Sequence, residues 1–200
     1  MEKSFNLIDK ALTGTGDSDQ HLLFLYSIVV CSKAKNILEL GVRWGDSTIP
    51  LVLGAKLTGG MVTSIDKEPT TLVLSEELQK YNKFIQINSI DYLINLDPST
   101  LFDIVLIDDW HEYGHVKKEI ELLEKHITPS SVILLHDLMY NTAPNYHSEP
   151  WINSWEEFGL GGPYRAVSEL NPVFWEWATL PWNNGMTILR KKVYKPPVLP

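Results

Sequence analysis

The stretch Asn36-Ile37-Leu38-Glu39-Leu40-Gly41-Val42-Arg43-Trp44-Gly45-Asp46-Ser47 decides the fold. Its first five residues read as a buried strand that Gly41 stops, and Ser47 to Leu57 reads as a helix. Pro50 falls in the first turn of that helix, where a missing N–H is tolerated. Gly59-Gly60 closes the unit, and the rhythm starts again with a strand over Met61–Ile65 that stops at Asp66. A helix over 70–81, a strand over 84–87 and a short helix over 89–95 follow. Residues 102–107 form an Ile- and Val-rich strand ending on Asp108-Asp109. A helix over 113–126 leads to a strand over 131–135 that ends on His136-Asp137. Five repeats of strand then helix imply a parallel sheet with helices on both faces. Such sheets hold ligands at the carboxyl ends of their strands.

The ends of the chain read differently. Asp17 with Gln20 forms a capping box ahead of a helix over 18–34, apolar on most faces and therefore buried. Beyond residue 163 a helix over 164–170 precedes strands over 173–178 and 186–192, and Asn184-Gly185 between them is a hairpin signal. The expected whole is an α/β, Rossmann-like, seven-stranded, mostly parallel sheet with a C-terminal antiparallel hairpin. It occupies residues 1–200 as a single domain, with 1–35 as an N-terminal helical segment. Residues 138–163 lack periodicity, and a stretch of that length inside a compact domain is a candidate lid over a substrate.

Composition narrows the function. In 200 residues, 44% are hydrophobic and 21% charged, an ordinary globular balance. Seventeen Lys and Arg against twenty-five Asp and Glu leave a net charge of −8, which repels phosphate backbones and argues against a nucleic-acid partner. The single cysteine, Cys31, reads as a small buried hydrophobe. The longest apolar run, Leu22–Cys31, is interrupted by Ser27 and is about half of what a bilayer span needs. No signal-peptide pattern opens the chain, so the expected location is cytoplasmic, away from membranes.

Three strand ends carry candidate chemistry. Glycines between Glu39 and Ser47 let backbone approach a ligand closely, and the helix start offers free amide donors. The spacing is Gly-x-x-x-Gly, neither the dinucleotide fingerprint nor a triphosphate loop. Asp66 is placed either to accept ribose hydroxyls or to cap a helix. Asn88-Ser89 has the same pair of readings, a purine edge or a cap.

In order and spacing, ELGVRWGDS, SIDKEP and FDIVLIDDWHEY resemble the cofactor site of class I S-adenosylmethionine-dependent methyltransferases, over about Asn36–Asp137. DDWHEYGHVKKEIE and VILLHDL are similar to the branch that holds catechol O-methyltransferase, macrocin O-methyltransferase and the cephalosporin hydroxylase-like proteins. The resemblance implies S-adenosylmethionine as cofactor, with Gly41 and Ser47 near its methionine part. Glu39 belongs to the same turn, Asp66 would hold the ribose and Asn88-Ser89 the adenine, with Asp108 beside them. Asp108, His136 and Asp137 would hold Mg²⁺ or another divalent cation, and His111 would be the general base. The sequence departs from the branch at His136, where macrolide-type enzymes use Glu, and at Leu138, where catechol enzymes use Asn. An imidazole shifts metal preference from Mg²⁺ toward softer ions.

The residues support the same chemistry directly. The cofactor of a methyl transfer carries the reactive carbon, so the protein must align the acceptor and remove its proton. A histidine titrates close to neutrality and can take that proton, while a divalent ion polarises a hydroxyl. The expected activity is therefore O-methylation of a small hydroxylated acceptor. The alternative is a protein of this fold that binds S-adenosylmethionine or another nucleoside without transferring a methyl group, or a repurposed enzyme of the hydroxylase-like branch. His115 reads as a surface residue, and His126 and His147 as background. Trp151, Trp155, Trp175, Trp177 and Trp182 either line an acceptor pocket or form hairpin core or a homodimer surface; Trp175 and Trp177 should share a strand face.

Overall fold

The computed structural model describes residues 6–16, 18–138 and 162–193. Seven strands form one sheet: β1 (Asn36–Leu40), β2 (Met61–Asp66), β3 (Asn82–Gln86), β4 (Ile104–Ile107), β5 (Val132–His136), β6 (Trp175–Leu180) and β7 (Met186–Lys191). Their spatial order is β3-β2-β1-β4-β5-β7-β6. The pairs among β1 to β5 are parallel, and β7 runs antiparallel to both β5 and β6. The architecture is the one expected from the strand-helix rhythm. The order reverses between β1 and β4, and that switch point opens the crevice in which the site lies.

Helices cover both faces, as the continuous apolar runs of β1, β4 and β5 demand. On one face α2 (Leu22–Ser32) and α3 (Thr48–Thr58) pack Leu25, Val29, Leu51 and Val52 against Ile37, Val62 and Leu106. On the other, α5 (Ser89–Ile94), α6 (Tyr113–Leu123) and α7 (Gly162–Ser168) bring Leu93, Val116, Ile120 and Val167 to Leu38, Leu40, Val105 and Ile133. The two-residue period of β1 puts Glu39 on the face of Ile37, under the start of α3.

Several elements differ from expectation, each for a local reason. The helix expected over 70–81 shrinks to α4 (Glu76–Gln79). Thr70 turns the chain by accepting the Leu72 amide and donating to the Arg43 carbonyl, which competes with helix. Leu72 and Leu74 then pack against the core from non-helical backbone. A helix not anticipated, α1 (Leu7–Thr13), is capped by Asn6, whose side chain accepts the Ile8 and Asp9 amides. The helix expected over 18–34 begins as a 3₁₀ turn over Asp19–His21 before α2. Of the capping box there, Asp17 lies outside the described residues.

Only Leu22, Leu25 and Val29 of α2 are buried, so that helix is half-exposed rather than enclosed. Cys31 falls on its outer side and is exposed, correcting the buried reading. The β6–β7 turn places Asn183, Asn184 and Gly185 all at positive φ, the conformation that the Asn-Gly signal foretold. Trp175 is buried, whereas Trp177 and Trp182 are largely exposed. Trp175, at the start of β6, packs into the core with Leu189 and Val167, whereas Trp177 further along the strand is not part of that core. The 139–161 part of the expected lid, with Trp151 and Trp155, lies outside the described residues. No described helix is long and apolar enough to cross a membrane.

Candidate active site

The β1–α3 turn is held from two sides. Gly41 sits at φ 93°, and a Cβ there would lie 2.2 Å from the Asp108 carbonyl oxygen, so only glycine lets β1 and β4 end this close together. Asp66, at the end of β2, accepts the amides of Val42 and Arg43 through Oδ2, each at 2.9 Å, and the Glu68 amide through Oδ1, also at 2.9 Å. Its carboxylate thus clamps the turn that faces the crevice.

Glu39 lies beneath this turn, fully buried, and does not itself line the crevice. Ser47 donates to it at 2.7 Å, Thr48 at 2.8 Å and Ser64 at 2.6 Å. Burial raises its pKa to about 7 against the pull of those three hydroxyls. The sequence reading placed Glu39 and Ser47 together at the cofactor. The structure keeps Ser47 in the crevice wall and makes Glu39 its support.

At the ends of β4 and β5 four side chains converge. His111 Nε2 lies 2.9 Å from Asp137 Oδ2 and 3.6 Å from Asp108 Oδ1. Burial disfavours the imidazolium, but hydrogen bonds and charge from Asp108 and Asp137 hold the pKa of His111 up to about 10. Asp108 is raised by burial and pulled further down by His136 and His111, ending well below the carboxylate range. The two aspartates thus favour the charged form of His111, whose titration the sequence alone places near neutrality. Its carbonyl is pinned by the start of α7, where a Cβ on Gly162 would lie 1.7 Å away.

His136, expected among the metal ligands, lies deeper than the other three. Its Nδ1 faces Asp108 Oδ1 at 3.1 Å and its Nε2 faces the Asn183 carbonyl at 2.9 Å. Both ring nitrogens face acceptors, so both donate and neither offers a lone pair to a metal. The group able to hold a cation here is Asp108, His111 and Asp137, whose ligand atoms lie within 4.8 Å of one another. Asp137 Oδ1 is buried without a hydrogen bond, and Asp137 is held at φ 61°. Two carboxylates, one with a buried oxygen that makes no hydrogen bond, fit a divalent ion, whose charge would weaken their hold on the His111 proton. Behind His136, His21 packs edge-on at 5.4 Å between ring centres and donates through Nε2 to the Trp182 carbonyl at 2.8 Å. Burial and the neighbouring His136 lower its pKa.

These groups share one cavity of about 490 Å³, within the usual range for a small-molecule site. Gly41, Ser47, Asp66, Asn88, Ser89, Asp108, His111 and Asp137 all border it. Asn88 caps α5 by accepting the Ile90 and Asp91 amides, while Ser89 donates to Asp109 at 2.7 Å. At the rim, Arg43 stacks on Trp44 at 3.8 Å and Lys67 lies 4.6 Å from the centre of the Trp110 ring.

His115 corrects a further expectation. It is no surface residue but borders the cavity and ion-pairs with Asp109 at 3.2 Å and Glu119 at 3.3 Å. Burial works against its charge, yet bonds to those two carboxylates raise its pKa to about 10. The sequence reading missed Asp109, His115 and Glu119 as a group. The signal was present: His115 and Glu119 stand four apart on one helix, one face of the element that follows the Asp108-Asp109 pair.

Residues 38–138 match the family model described as a methyltransferase domain. The chain belongs to the methyltransferase-domain family. Solved structures show the same fold for this methyltransferase domain over almost its whole length. The methyltransferase PaMTH1 of Podospora anserina, bound to S-adenosylhomocysteine (SAH), superimposes with a TM-score of 0.66 at 18% identity, covering 94% of this chain and 88% of that one. The O-methyltransferase TomG of Streptomyces achromogenes, in complex with S-adenosylmethionine (SAM), gives 0.60 at 14%, covering 94% and 89%. An O-methyltransferase of Bacillus cereus in complex with SAH gives 0.53 at 19%, covering 93% and 87%. No curated protein matches the methyltransferase domain in sequence.

Proposed function

We propose that this protein transfers a methyl group from S-adenosylmethionine to the oxygen of a small hydroxylated molecule. The observation that carries the reading is that His111, set between Asp108 and Asp137, faces the cavity lined by the glycine turn. The cofactor supplies the sulfonium-bound methyl group, and the protein's part is alignment and proton removal. Gly41 and Ser47 border the methionine end. Asp66 gives three acceptor positions to backbone amides, and of roughly four on a carboxylate one remains for a ribose hydroxyl. The cap formed by Asn88 leaves its amide N–H groups for a purine edge, next to Ser89.

His111 is the base in this reading and takes the hydroxyl proton of the acceptor on Nε2. Asp108 and Asp137 would hold a divalent ion, which would supply Lewis acidity toward that hydroxyl and offset the negative charge that otherwise holds the imidazolium. Without such an ion the base form of His111 is reached only as the pH climbs toward about 10.

The test pairs binding with turnover. Titration calorimetry should show heat with SAH and none with NAD(H). Incubation with SAM and a panel of catechols and sugars should release SAH. His111→Ala should keep SAH affinity while slowing turnover about a hundredfold, the usual scale for a lost general base. NAD(H) binding without SAH binding would overturn the cofactor. Binding of SAH with full turnover in His111→Ala would remove His111 from the chemistry, and binding without turnover on any acceptor would favour a nucleoside-binding role.

A further inference from the structure

Next to the Asp108–His111–Asp137 group lies a second convergence, of whose members the methyl-transfer reading uses only Ser89. Ser89 starts α5, Asp109 follows β4, and His115 and Glu119 face them from α6. Around the single nitrogen His115 Nε2 stand Ser89 Oγ at 3.0 Å, Asp109 Oδ2 at 3.2 Å and Glu119 Oε1 at 3.3 Å. One N–H can donate well to only one of them. Glu119 is fully buried and ion-pairs with His115 through Oε1, but neither of its carboxylate oxygens has a hydrogen bond; Asp109 Oδ1 is likewise buried and without one. One imidazole is thus shared by two buried carboxylates, and a further positive charge there would offset the cost of burying both.

The spacing is that of a coordination shell. Four ligands about 2.0–2.1 Å from a tetrahedral ion stand roughly 3.3 Å apart. The three distances to Nε2 already fall at 3.0–3.3 Å, and the Asp109, His115 and Glu119 ligand atoms all lie within 4.8 Å of one another. We infer that Asp109, His115 and Glu119, with the Ser89 hydroxyl, form a second metal site that takes Zn²⁺. One imidazole nitrogen beside carboxylate oxygens suits a borderline ion better than Mg²⁺, which prefers an all-oxygen octahedron. The ion replaces the one shared proton with a charge that all the oxygens can bind at once. It ties α5 and α6 to the end of β4 under the cavity, since Ser89, Asp109 and His115 border that cavity while Glu119 closes the site from below.

The experiment uses the full chain carrying Asp137→Asn, which disables the neighbouring group and keeps a residue type that tolerates positive φ. After treatment with a chelator, Zn²⁺ is titrated by calorimetry and thermal unfolding is followed with and without Zn²⁺. One equivalent should bind and raise the unfolding temperature. Adding Glu119→Gln, which keeps the size of the side chain, or His115→Ala should weaken binding by more than about tenfold and abolish the thermal shift. Co²⁺ in place of Zn²⁺ should give the visible absorption of a tetrahedral site, lost in the same variants. Should Glu119→Gln not fold by circular dichroism, His115→Ala decides alone. Absence of Zn²⁺ binding to the Asp137→Asn chain, or affinity unchanged by the folded variants, overturns the proposal. Neither result bears on SAH binding, so the functional reading stands or falls separately.

Discussion

Asp66→Ala removes the acceptor of three backbone amides, those of Val42, Arg43 and Glu68, each at 2.9 Å. Hydrogen bonds to a charged acceptor contribute about 1.5–3 kcal/mol when buried, and Asp66 is half-buried, so about 1 kcal/mol apiece is the fitting value. The expected loss of folding stability is about 3 kcal/mol. Asp66→Asn keeps one carbonyl oxygen, which can still receive the Val42 and Arg43 pair, so its loss should be about 1 kcal/mol. Urea denaturation of the three proteins reads both numbers, with an unchanged slope required for the comparison. Calorimetry with SAH then separates the clamp from direct contact. If Asp66 acts through the turn, affinity should follow stability, falling far more in Ala than in Asn. Should Asp66→Ala unfold at the wild-type urea concentration, the clamp carries no weight and the argument from these three bonds is refuted.

The Glu39 carboxyl, raised by burial from its ordinary 4.5 to about 7, holds its proton in the folded chain and loses it in the unfolded one between those limits. Stability is then fully present below about pH 4.5 and lost as pH rises through about 7, by about 3 kcal/mol relative to Glu39→Gln. Paired denaturation curves from pH 4.5 to 8 check this, and a difference that does not change with pH contradicts it. Gly41→Ala, with a Cβ 2.2 Å from the Asp108 carbonyl and φ at 93°, should cost about 3 kcal/mol or more and weaken SAH binding by displacing the end of β4. Wild-type stability in that variant would show that the turn adapts freely.

The sequence by itself determined the sheet. Strand after strand of apolar residues, each ending on glycine or a polar side chain, left one architecture open, because an apolar run flanked by amphipathic stretches must be covered on both faces. It also named eight residues of the cavity wall, since Gly41, Ser47, Asp66, Asn88, Ser89, Asp108, His111 and Asp137 follow strands whose ends must share one edge. What each residue does there was decided only in three dimensions. The roles of His111 and His136 turned on neighbours from other strands: two aspartates that hold one imidazole charged, and a hairpin carbonyl that occupies the other. His115 reads as surface in a helix of alternating charge, yet it forms a buried group with Glu119 because α6 lays that face on Ser89 and Asp109. Thr70 and its neighbours had helical spacing but extend, as their hydrophobic residues reach the core from the turn over Arg43. Periodicity is a property of one segment and survives in the linear chain, whereas burial, charge and hydrogen-bond roles belong to pairs of segments and exist only once the chain has brought them together.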